Sequence, residues 1–356
     1  MKLVIDALGA PDASGGMYLY ARELISALAA AHPQDSFVVL GGPWSVQAFR
    51  ALENVSTVSV DNRSTIRRIV GQFVQAALTY YRGRADCLLS ISPIVSPLVP
   101  ASRRVCVVHD WRHLKNPTEF STGQRLYRRL WAASAARAGR TIVISRKTDR
   151  ESAEIVPRAR RVVIENGHDH LTAISPATSR PGENNAVITY GHHNNKRPEL
   201  VIDAYAHVAP EVRSAHPLVV LGARGEYASE LRTRAESLGV SADVSLPGFI
   251  SDERYEQLVS SAACIVLAST DEGFGLPVAE AQTLGIPAVV TDDSGVAEIF
   301  PRGPLVVGAD PTALSDGIAR ALTMYADPWE GIPRRSWREA AADVRRTIEE
   351  LLSSRP

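Results

Sequence analysis

The sequence predicts an α/β fold built from two doubly wound parallel sheets, one in each half of the chain. Short apolar strands alternate with helical segments almost throughout, and each half has about the size of a mononucleotide-binding unit. At 356 residues the chain is long for one hydrophobic core and suits two domains. We expect an N-terminal domain over 1–170, a C-terminal domain over 171–335, and a final helix over 336–356 that packs back toward the N-terminal domain.

The elements of the first half are predicted from short apolar runs rich in β-branched residues. A helix is expected over residues 17–30, and strands are expected over 3–5, 37–40, 87–91, 105–108, 141–144 and 162–164. A turn at Asn166 and Gly167 follows the last of these strands. Polar sequence with proline and glycine at 172–185 predicts the linker between the two domains.

The second half repeats the alternation of strands and helices. Strands are expected over residues 186–190, 218–221, 244–246, 264–268, 288–291 and 305–307. One helix is expected over 198–208, and another over 278–284 with Pro277 in its first turn. The segment 336–352 has the pattern of a charged amphipathic helix.

The composition is that of a soluble globular protein. Hydrophobic residues make up 45% and charged residues 22%, and 39 basic residues balance 39 acidic ones, which argues against disorder and wholesale nucleic-acid binding. The start MKLVIDALGA lacks the apolar core of a signal peptide, and no apolar stretch approaches the roughly 18 residues of a membrane span. We therefore expect a cytoplasmic protein.

Three cysteines, Cys87, Cys106 and Cys264, each lie inside an apolar strand-like run. Buried thiols that serve as small core residues in a reducing compartment are the expected outcome, rather than disulfides or catalytic thiols.

The segment EGFGLPVAE carries the strongest functional signal. It joins a predicted strand to a predicted helix through a loop that contains Gly273 and Gly275, and the amides of Phe274, Gly275 and Leu276 at the helix start suit a diphosphate. Glu272 and Glu280 lie eight positions apart on either side. An ordinary glycine turn remains the alternative.

The two glutamates have different predicted roles. Glu272, ahead of the loop, can accept hydrogen bonds from neutral hydroxyl groups. Glu280, about two turns into the helix, can accept a pair of hydrogen bonds from a ribose diol. A solvated helix residue is the alternative for Glu280.

Other candidates directly follow predicted strands, where open α/β sheets bind ligands. They are Gly15 and Gly16 with their amides at a helix start, His109 and Asp110 at a strand tip, Lys196 near a helix start, and the main chain of Gly248, Phe249 and Ile250 for a nucleobase edge. A simple turn, a helix cap and a solvated lysine are the respective alternatives for the glycines, Asp110 and Lys196.

Metal sites are not expected. His109 and His113 have i, i+4 spacing, but no glutamate follows the first histidine and no third ligand is in view. No two aspartates are separated by a single residue, so the short acidic pair that often holds a divalent ion under a diphosphate is missing. The sequence therefore predicts no metal and no cofactor, and Lys196, arginine and helix amides would meet the phosphate charge.

Two stretches of the first half carry arginines without an intervening acid, at 63–84 and 125–140. The second also has Leu126, Leu130 and Trp131 at helical spacing. Such a basic amphipathic face can bind anionic lipid, or it can be a solvated helix whose arginine stems cover the core.

Nearly the whole chain resembles the retaining glycosyltransferase family 4, which has the GT-B fold of two Rossmann-like domains facing a central cleft. The resemblance rests on the glycine pair before YARELISAL and on the segments VVHDWRHLKNPTEF, VISRKTDRE, VIENGHD, KRPELVIDAY, LPGFISDERYEQLVSSA and EGFGLPVAEAQTLGIPAVVTDDSGVAEI, with SWREAA in the last helix. In this family the N-terminal domain mainly binds the acceptor and the C-terminal domain binds a nucleotide diphosphate sugar.

The resemblance implies a role for each candidate. Glu280 would bind the ribose, Glu272 the donor sugar hydroxyls, Lys196 the diphosphate, His109 the sugar near its anomeric carbon, Gly15 and Gly16 the phosphates, and Phe274, Gly275 and Leu276 the diphosphate and sugar through their main chain. Many members place an arginine shortly before the matching lysine, whereas this chain has His192, His193, Asn194 and Asn195 there, with Arg197 after the lysine. Three alternatives follow. The second cation for the phosphates is Arg197 or another group, a histidine takes the place of the missing arginine at reduced charge, or the donor site is weakened.

The resemblance implies a retaining, metal-independent transferase that moves a hexose of mannosyl, glucosyl or N-acetylglucosaminyl type from a nucleotide diphosphate sugar to an acceptor hydroxyl. His109, Glu272 and Lys196 would be the catalytic residues. The acceptor would be a sugar, a lipid-linked sugar or a small molecule in glycan or glycoconjugate biosynthesis, with peripheral contact to the inner membrane face through the arginine-rich helices. An epimerase or phosphorylase on the same fold, and a non-catalytic nucleotide-sugar-binding relative, remain alternatives.

Overall fold

The computed structural model describes residues 1–10, 15–171, 185–192, 194–324 and 327–354. The chain divides into two compact units: unit 1 comprises Met1–Gly167 and Arg335–Pro356, and unit 2 comprises His168–Arg334. The predicted linker lies outside the described residues, apart from Asn185.

Unit 1 is built on a parallel sheet in the order β3-β2-β1-β4-β5-β6-β7. Its strands are β1 Lys2–Asp6, β2 Ser36–Gly41, β3 Val55–Ser59, β4 Cys87–Ser90, β5 Arg104–Val108, β6 Arg140–Val143 and β7 Arg161–Val163. The sequence did not predict β3. As an edge strand it is largely exposed, so it lacks the apolar run that identifies its buried neighbours.

The helices of unit 1 connect these strands. They are α1 Gly16–Ala31, α2 Trp44–Ala48, α3 Thr65–Val70, α4 Ala76–Gly83, α5 Arg112–Lys115, α6 Thr122–Ala135 and α7 Arg146–Ile155. A π-helical turn at Gly71–Gln75 joins α3 to α4, so residues 65–83 form one continuous helical segment.

Unit 2 repeats the architecture with the parallel order β10-β9-β8-β11-β12-β13. Its strands are β8 Val187–Tyr190, β9 Leu218–Leu221, β10 Val244–Gly248, β11 Cys264–Leu267, β12 Ala288–Thr291 and β13 Leu305–Val307. Its helices are α8 Pro198–Ala206, α9 Pro210–Ala215, α10 Gly225–Ser237, α11 Asp252–Ser260, α12 Leu276–Leu284, α13 Val296–Ile299 and α14 Pro311–Leu322. The predicted fold class of two doubly wound parallel sheets is confirmed.

The central strands supply the cores of both units. In β4, β5, β8, β9, β11 and β12 every residue is buried, as expected for parallel strands covered on both faces. Cys87, Cys106 and Cys264 are free and buried within these strands, which confirms their prediction as core residues. Burial raises the pKa of each thiol to about 12, so all three stay protonated at neutral pH.

The last helix, α15 Trp337–Ser353, belongs to unit 1 and packs against α1. Ser336 caps its start in a capping box with Glu339. A Cβ at Gly167 would lie 2.2 Å from the backbone nitrogen of Trp337, so only glycine fits where the chain passes the start of α15. Within the described residues, every helix is too short or too polar to cross a bilayer.

Candidate functional site

The carboxyl ends of β8 and β11 bring Lys196 and Glu272 together in unit 2. The Nζ atom of Lys196 lies 2.5 Å from Oε1 of Glu272, and their side chains are only 9% and 13% exposed. Since an ammonium group has three N–H donors, this ion pair leaves two for another acceptor. The lysine is therefore a partly buried, charge-paired group rather than a solvated one.

Main-chain hydrogen bonds fix the turn that carries the lysine. The 3₁₀ turn Asn194–Lys196 follows β8, and the carbonyl of Asn195 accepts from the amide of Thr270 at 2.9 Å. The Asn195 side chain donates to the carbonyl of Asp271 at 3.3 Å. These two hydrogen bonds thus connect the loop after β8 to the loop after β11 at the carboxyl ends of the strands.

Arg197 supports the same edge. Its backbone is left-handed, with φ of 47°, and its guanidinium donates to the carbonyl of Ala268 at 2.6 Å, to Oγ1 of Thr291 at 3.1 Å and to Oδ1 of Asp293 at 2.6 Å. These partners lie at the ends of β11 and β12. The geometry favours a supporting role, and the use of Arg197 as a second phosphate cation stays a prediction.

The glycine loop ends at the N-terminus of α12. Gly275 is left-handed, with φ of 86°, and no side chain of the described residues caps the helix there. A Cβ at Gly275 would come within 3.3 Å of Val296, and the buried Phe274 ring packs edge-on against Phe300. The amide end of α12 is thus held in place by packing, as an anion site requires.

The predicted position of Glu280 along the helix was wrong. The helix begins at Leu276, directly after the left-handed Gly275, so Glu280 is the fifth residue of α12 and lies just over one turn from its start instead of about two. This places its carboxylate nearer to the amide end of α12.

Glu280 is 2% exposed, which excludes a solvated surface glutamate. Its Oε2 accepts a hydrogen bond from the hydroxyl of Tyr255 at 2.5 Å, and its Oε1 lies 3.1 Å from Nε2 of His170. The Tyr255 hydroxyl also lies 3.1 Å from that of Tyr190. These partners could not be predicted from the sequence, because they come from separate elements and share no spacing with Glu280.

The PGFI segment lies at the end of β10, which reaches Gly248 rather than stopping at residue 246. The carbonyl of Gly248 accepts from the amide of Gly222 at 2.9 Å. The Phe249 ring is 49% exposed, and the Arg224 guanidinium lies 4.9 Å from its centroid. The main chain of Gly248, Phe249 and Ile250 remains the predicted base contact.

His109 follows β5 in unit 1. Its Nε2 lies 2.8 Å from the carbonyl oxygen of Ile91. Since a carbonyl only accepts, Nε2 carries the proton and Nδ1 keeps a lone pair. Burial lowers the pKa of His109, so the imidazole is neutral at pH 7. The neighbouring Asp110 accepts from the amide of Arg112 at 3.0 Å, a local turn contact.

Gly15 and Gly16 open α1 in unit 1, and both are exposed. Gly15 has φ of 84°, and within the described residues no side chain caps the helix. Their amides are placed as an anion site needs.

Asp6 lies at the tip of β1 and directly follows the strand predicted at 3–5, but it is not among the candidate residues predicted from the sequence. It is fully buried, accepts from the amide of Leu8 at 3.0 Å and receives the Ser90 hydroxyl at 3.2 Å. Burial raises the pKa of Asp6 to about 7. The rule that selected His109 would also have found it.

The described residues contain no group of three or more histidine, cysteine, aspartate or glutamate side chains that could hold a metal ion. His113 is instead a core residue: it is 2% exposed and packs edge-on against Trp131 with ring centroids 5.0 Å apart. Burial lowers its pKa to about 4. Metal independence stays a prediction.

Residues 172–344 match the family of glycosyl transferases group 1. This region belongs to the group 1 glycosyl transferases. Among curated relatives, the Escherichia coli O-antigen chain mannosyltransferase B is 30% identical over 141 residues, which cover 40% of this chain and 35% of the relative. The Komagataeibacter xylinus GDP-mannose:cellobiosyl-diphosphopolyprenol alpha-mannosyltransferase is 24% identical over 251 residues, 65% of this chain and 63% of the relative. The matches thus span about one third to two thirds of these relatives.

Solved structures show the same fold over nearly the full length of the chain. Anabaena HepE in complex with UDP and glucose has a TM-score of 0.72 at 19% identity, covering 98% of this chain and 100% of that chain. A glycosyltransferase from Rickettsia africae has a TM-score of 0.70 at 14% identity, covering 99% of both chains. The predicted GT-B fold and the resemblance to a family 4 type glycosyltransferase are confirmed.

Proposed function

We propose that this chain is a metal-independent, retaining glycosyltransferase that transfers a hexose from a nucleotide diphosphate sugar to an acceptor hydroxyl. The observation that carries the proposal is the arrangement of residues at the carboxyl ends of the strands in the unit 2 sheet. There the Lys196–Glu272 ion pair lies at the carboxyl ends of β8 and β11, and the chain continues from Glu272 into α12, whose start no described side chain caps and which carries the buried Glu280.

Lys196 and the α12 amides stabilise the departing diphosphate. The two remaining N–H donors of the ammonium group and the helix N-terminus both favour negative charge on the phosphate oxygens. Because that charge grows as the bond from the anomeric carbon to oxygen breaks, these groups stabilise the transition state more than the ground state. Glu272 accepts hydrogen bonds from the sugar hydroxyls and keeps the lysine in place.

Retention follows from attack on the face that the diphosphate leaves. The acceptor oxygen forms its bond to the anomeric carbon as the old carbon–oxygen bond breaks, and the acceptor proton passes to a phosphate oxygen of the leaving group. In unit 1, His109 is neutral and has Nδ1 as an acceptor. Its predicted contact with the sugar, and phosphate binding by the amides of Gly15 and Gly16, stay predictions.

The relatives suggest the substrate classes. One curated relative is named for transfer from GDP-mannose to a cellobiosyl-diphosphopolyprenol, and a structural neighbour was solved with UDP-glucose. We therefore propose a mannosyl or glucosyl donor and a sugar or lipid-linked sugar acceptor.

The purified chain is expected to transfer hexose from GDP-mannose or UDP-glucose to a panel of sugar and polyprenol-linked acceptors, at a rate that EDTA leaves unchanged. The product should keep the anomeric configuration of the donor, as measured by NMR. Loss of turnover with EDTA and its return with Mn²⁺ would contradict metal independence, and an inverted product would contradict retention.

Product analysis separates the alternatives on the same fold. An epimerase releases nucleotide without any acceptor, and a phosphorylase requires inorganic phosphate. A non-catalytic relative is stabilised thermally by nucleotide but turns over none of the acceptors.

We also propose that unit 1 contacts an anionic membrane surface. The continuous helical segment from α3 to α4 exposes Ile66, Val70, Val74 and Leu78, spaced four residues apart on one face and 42–76% exposed. No acid interrupts residues 63–84, so arginines border this apolar stripe. A solvated helix would present polar residues on that face, whereas apolar residues bordered by arginines suit an anionic bilayer.

Vesicle sedimentation tests this contact. The chain is expected to bind vesicles that contain phosphatidylglycerol, to release them at high salt, and to bind about tenfold more weakly after the double change Ile66→Ser and Val70→Ser. Leu238→Ser, at a 41% exposed leucine of unit 2, is the matched control and should bind normally. Equal binding to neutral vesicles, or no effect of the double change, would refute the proposal.

A further inference from the structure

The carboxylate of Glu280 is part of a buried chain of polar side chains drawn from four elements. Glu280 lies on α12, Tyr255 on α11, Tyr190 on β8 and His170 on the 3₁₀ turn Asp169–Leu171. Tyr190 is 5% exposed, and the His170 side chain is 4% exposed. A nucleotide site that uses Glu280 must therefore use it with these partners attached.

The direction of each hydrogen bond follows from the chemistry of the groups. A carboxylate only accepts, so Tyr255 donates its single proton to Oε2 of Glu280, and the Tyr190 hydroxyl must donate to the oxygen of Tyr255. By the same argument Nε2 of His170 carries a proton and donates to Oε1. Among the described residues, each carboxylate oxygen then has one partner, which leaves each oxygen one acceptor direction for a hydroxyl of a ribose diol.

A second contact fixes the turn that carries His170. One helical turn after Glu280, the Thr283 hydroxyl donates to the carbonyl of His168 at 2.9 Å. Nδ1 of His168 lies 2.6 Å from that same hydroxyl oxygen and donates to it. The turn is thus attached to one face of α12 at two points, which limits the movement of His170 relative to Glu280.

We infer that Tyr255 and His170 are positioning residues that hold the Glu280 carboxylate in the orientation that receives the ribose diol. A glutamate side chain on its own has several rotamers, and a ligand that selects one of them loses affinity. Here two hydrogen bonds select the rotamer before the nucleotide binds. The inference rests on the proposed function, because it assigns the ribose to Glu280.

A purely structural reading of the same contacts is that they brace α11, α12 and β8 against one another. The two readings differ in one measurable respect. A brace affects the stability of the unit and the binding of every nucleotide alike, whereas a positioning residue affects the preference for a nucleotide that carries the ribose 2′-hydroxyl.

The test measures that preference by calorimetry with UDP, GDP and their 2′-deoxy forms. Wild-type protein is expected to bind the preferred ribonucleotide about 10–100-fold more tightly than its 2′-deoxy form, as for the loss of a hydrogen bond to a charged group. Tyr255→Phe, which removes one hydroxyl, is expected to reduce this preference to about threefold or less. His170→Leu should do the same, and His170→Gln, which keeps an N–H donor, should restore part of it.

Tyr227→Phe is the matched control. The Tyr227 hydroxyl on α10 donates to Oε2 of Glu199 at 2.7 Å, so this change removes the same kind of tyrosine–glutamate bond in the same unit. It should leave the ribose preference intact. Tyr190→Phe keeps the bond from Tyr255 to Glu280 and should retain most of the preference.

The outcomes separate failure of the inference from failure of the proposed function. If the wild type does not distinguish ribo from 2′-deoxy nucleotides, the ribose role of Glu280 is wrong and the inference falls with it. If the wild type discriminates and Tyr255→Phe discriminates equally, only the inference is overturned. Should Tyr255→Phe fail to fold in a thermal melt, the two His170 variants decide in the same way.

Discussion

Replacing Lys196 by alanine is expected to lower kcat about 10²–10³-fold, the effect of removing one preorganised charge donor from a developing anion. The Nζ atom of Lys196 is 2.5 Å from Glu272 and the side chain is only 9% exposed. In the alanine variant, water therefore compensates poorly for the missing ammonium group. Steady-state kinetics at saturating donor would measure the loss. Lys196→Arg keeps the charge and should recover part of the rate.

The chain offers a matched control in Lys147. This lysine of unit 1 is 6% exposed and pairs with Glu151 at 2.6 Å, so Lys147→Ala removes an ion pair of the same kind outside the proposed site. Lys196→Ala should lose stability, on the order of 1–3 kcal/mol, because it removes the lysine partner of the poorly solvated Glu272 carboxylate. Lys147→Ala should lose less, because Lys115 still pairs with Glu151 at 2.5 Å. Only the Lys196 variant should lose kcat. A comparable drop in kcat for both would show that the rate loss reflects stability.

Replacing Glu280 by glutamine is expected to raise the KM for the donor about 10–100-fold, with kcat changed less than tenfold. Two groups donate to the carboxylate, Tyr255 to Oε2 and His170 to Oε1. A glutamine amide must turn its own N–H donors toward one of them, and it also loses the charge that strengthens hydrogen bonds to a ribose.

The KM for the acceptor serves as the internal control for this variant, because the ribose role of Glu280 concerns the donor alone. A KM for the donor that stays within twofold of wild type, in a variant with an unchanged melting temperature, would remove Glu280 from the donor site. A loss of kcat at constant KM would instead place it in the chemical step.

The sequence predicted the buried strands well because parallel strands must be apolar on both faces. The bounds of the fully buried strands β9 and β12 agree with the expected ranges. The edge strand β3 escaped because solvent covers much of it, and the start of α12 was placed late because a left-handed glycine has no periodic signal. The local hydrophobic pattern of the sequence therefore located the core strands but not every strand or every helix end.

The residues of the candidate site also fall into two groups, those that the sequence predicts and those that only the fold reveals. Lys196 and Glu272 could be collected from the sequence, because both follow parallel strands whose ends share one edge. The partners of Glu280 could not, since Tyr255 and His170 lie 25 and 110 residues away and reach it only through the fold. The orientation of a side chain is set by contacts between elements that are far apart in the chain. Such contacts produce no regular spacing in the sequence from which they could be predicted.

Unit 1 is discontinuous, because residues 335–354 follow the whole of unit 2 in the chain. During synthesis on the ribosome, α1 therefore emerges long before its packing partner α15, while unit 2 is translated as one uninterrupted stretch. Unit 2 can complete its core first, and the apolar face of α1 stays uncovered until translation has passed α15. The residues of α1 that α15 covers in the folded protein are therefore without that partner for most of the synthesis of the chain.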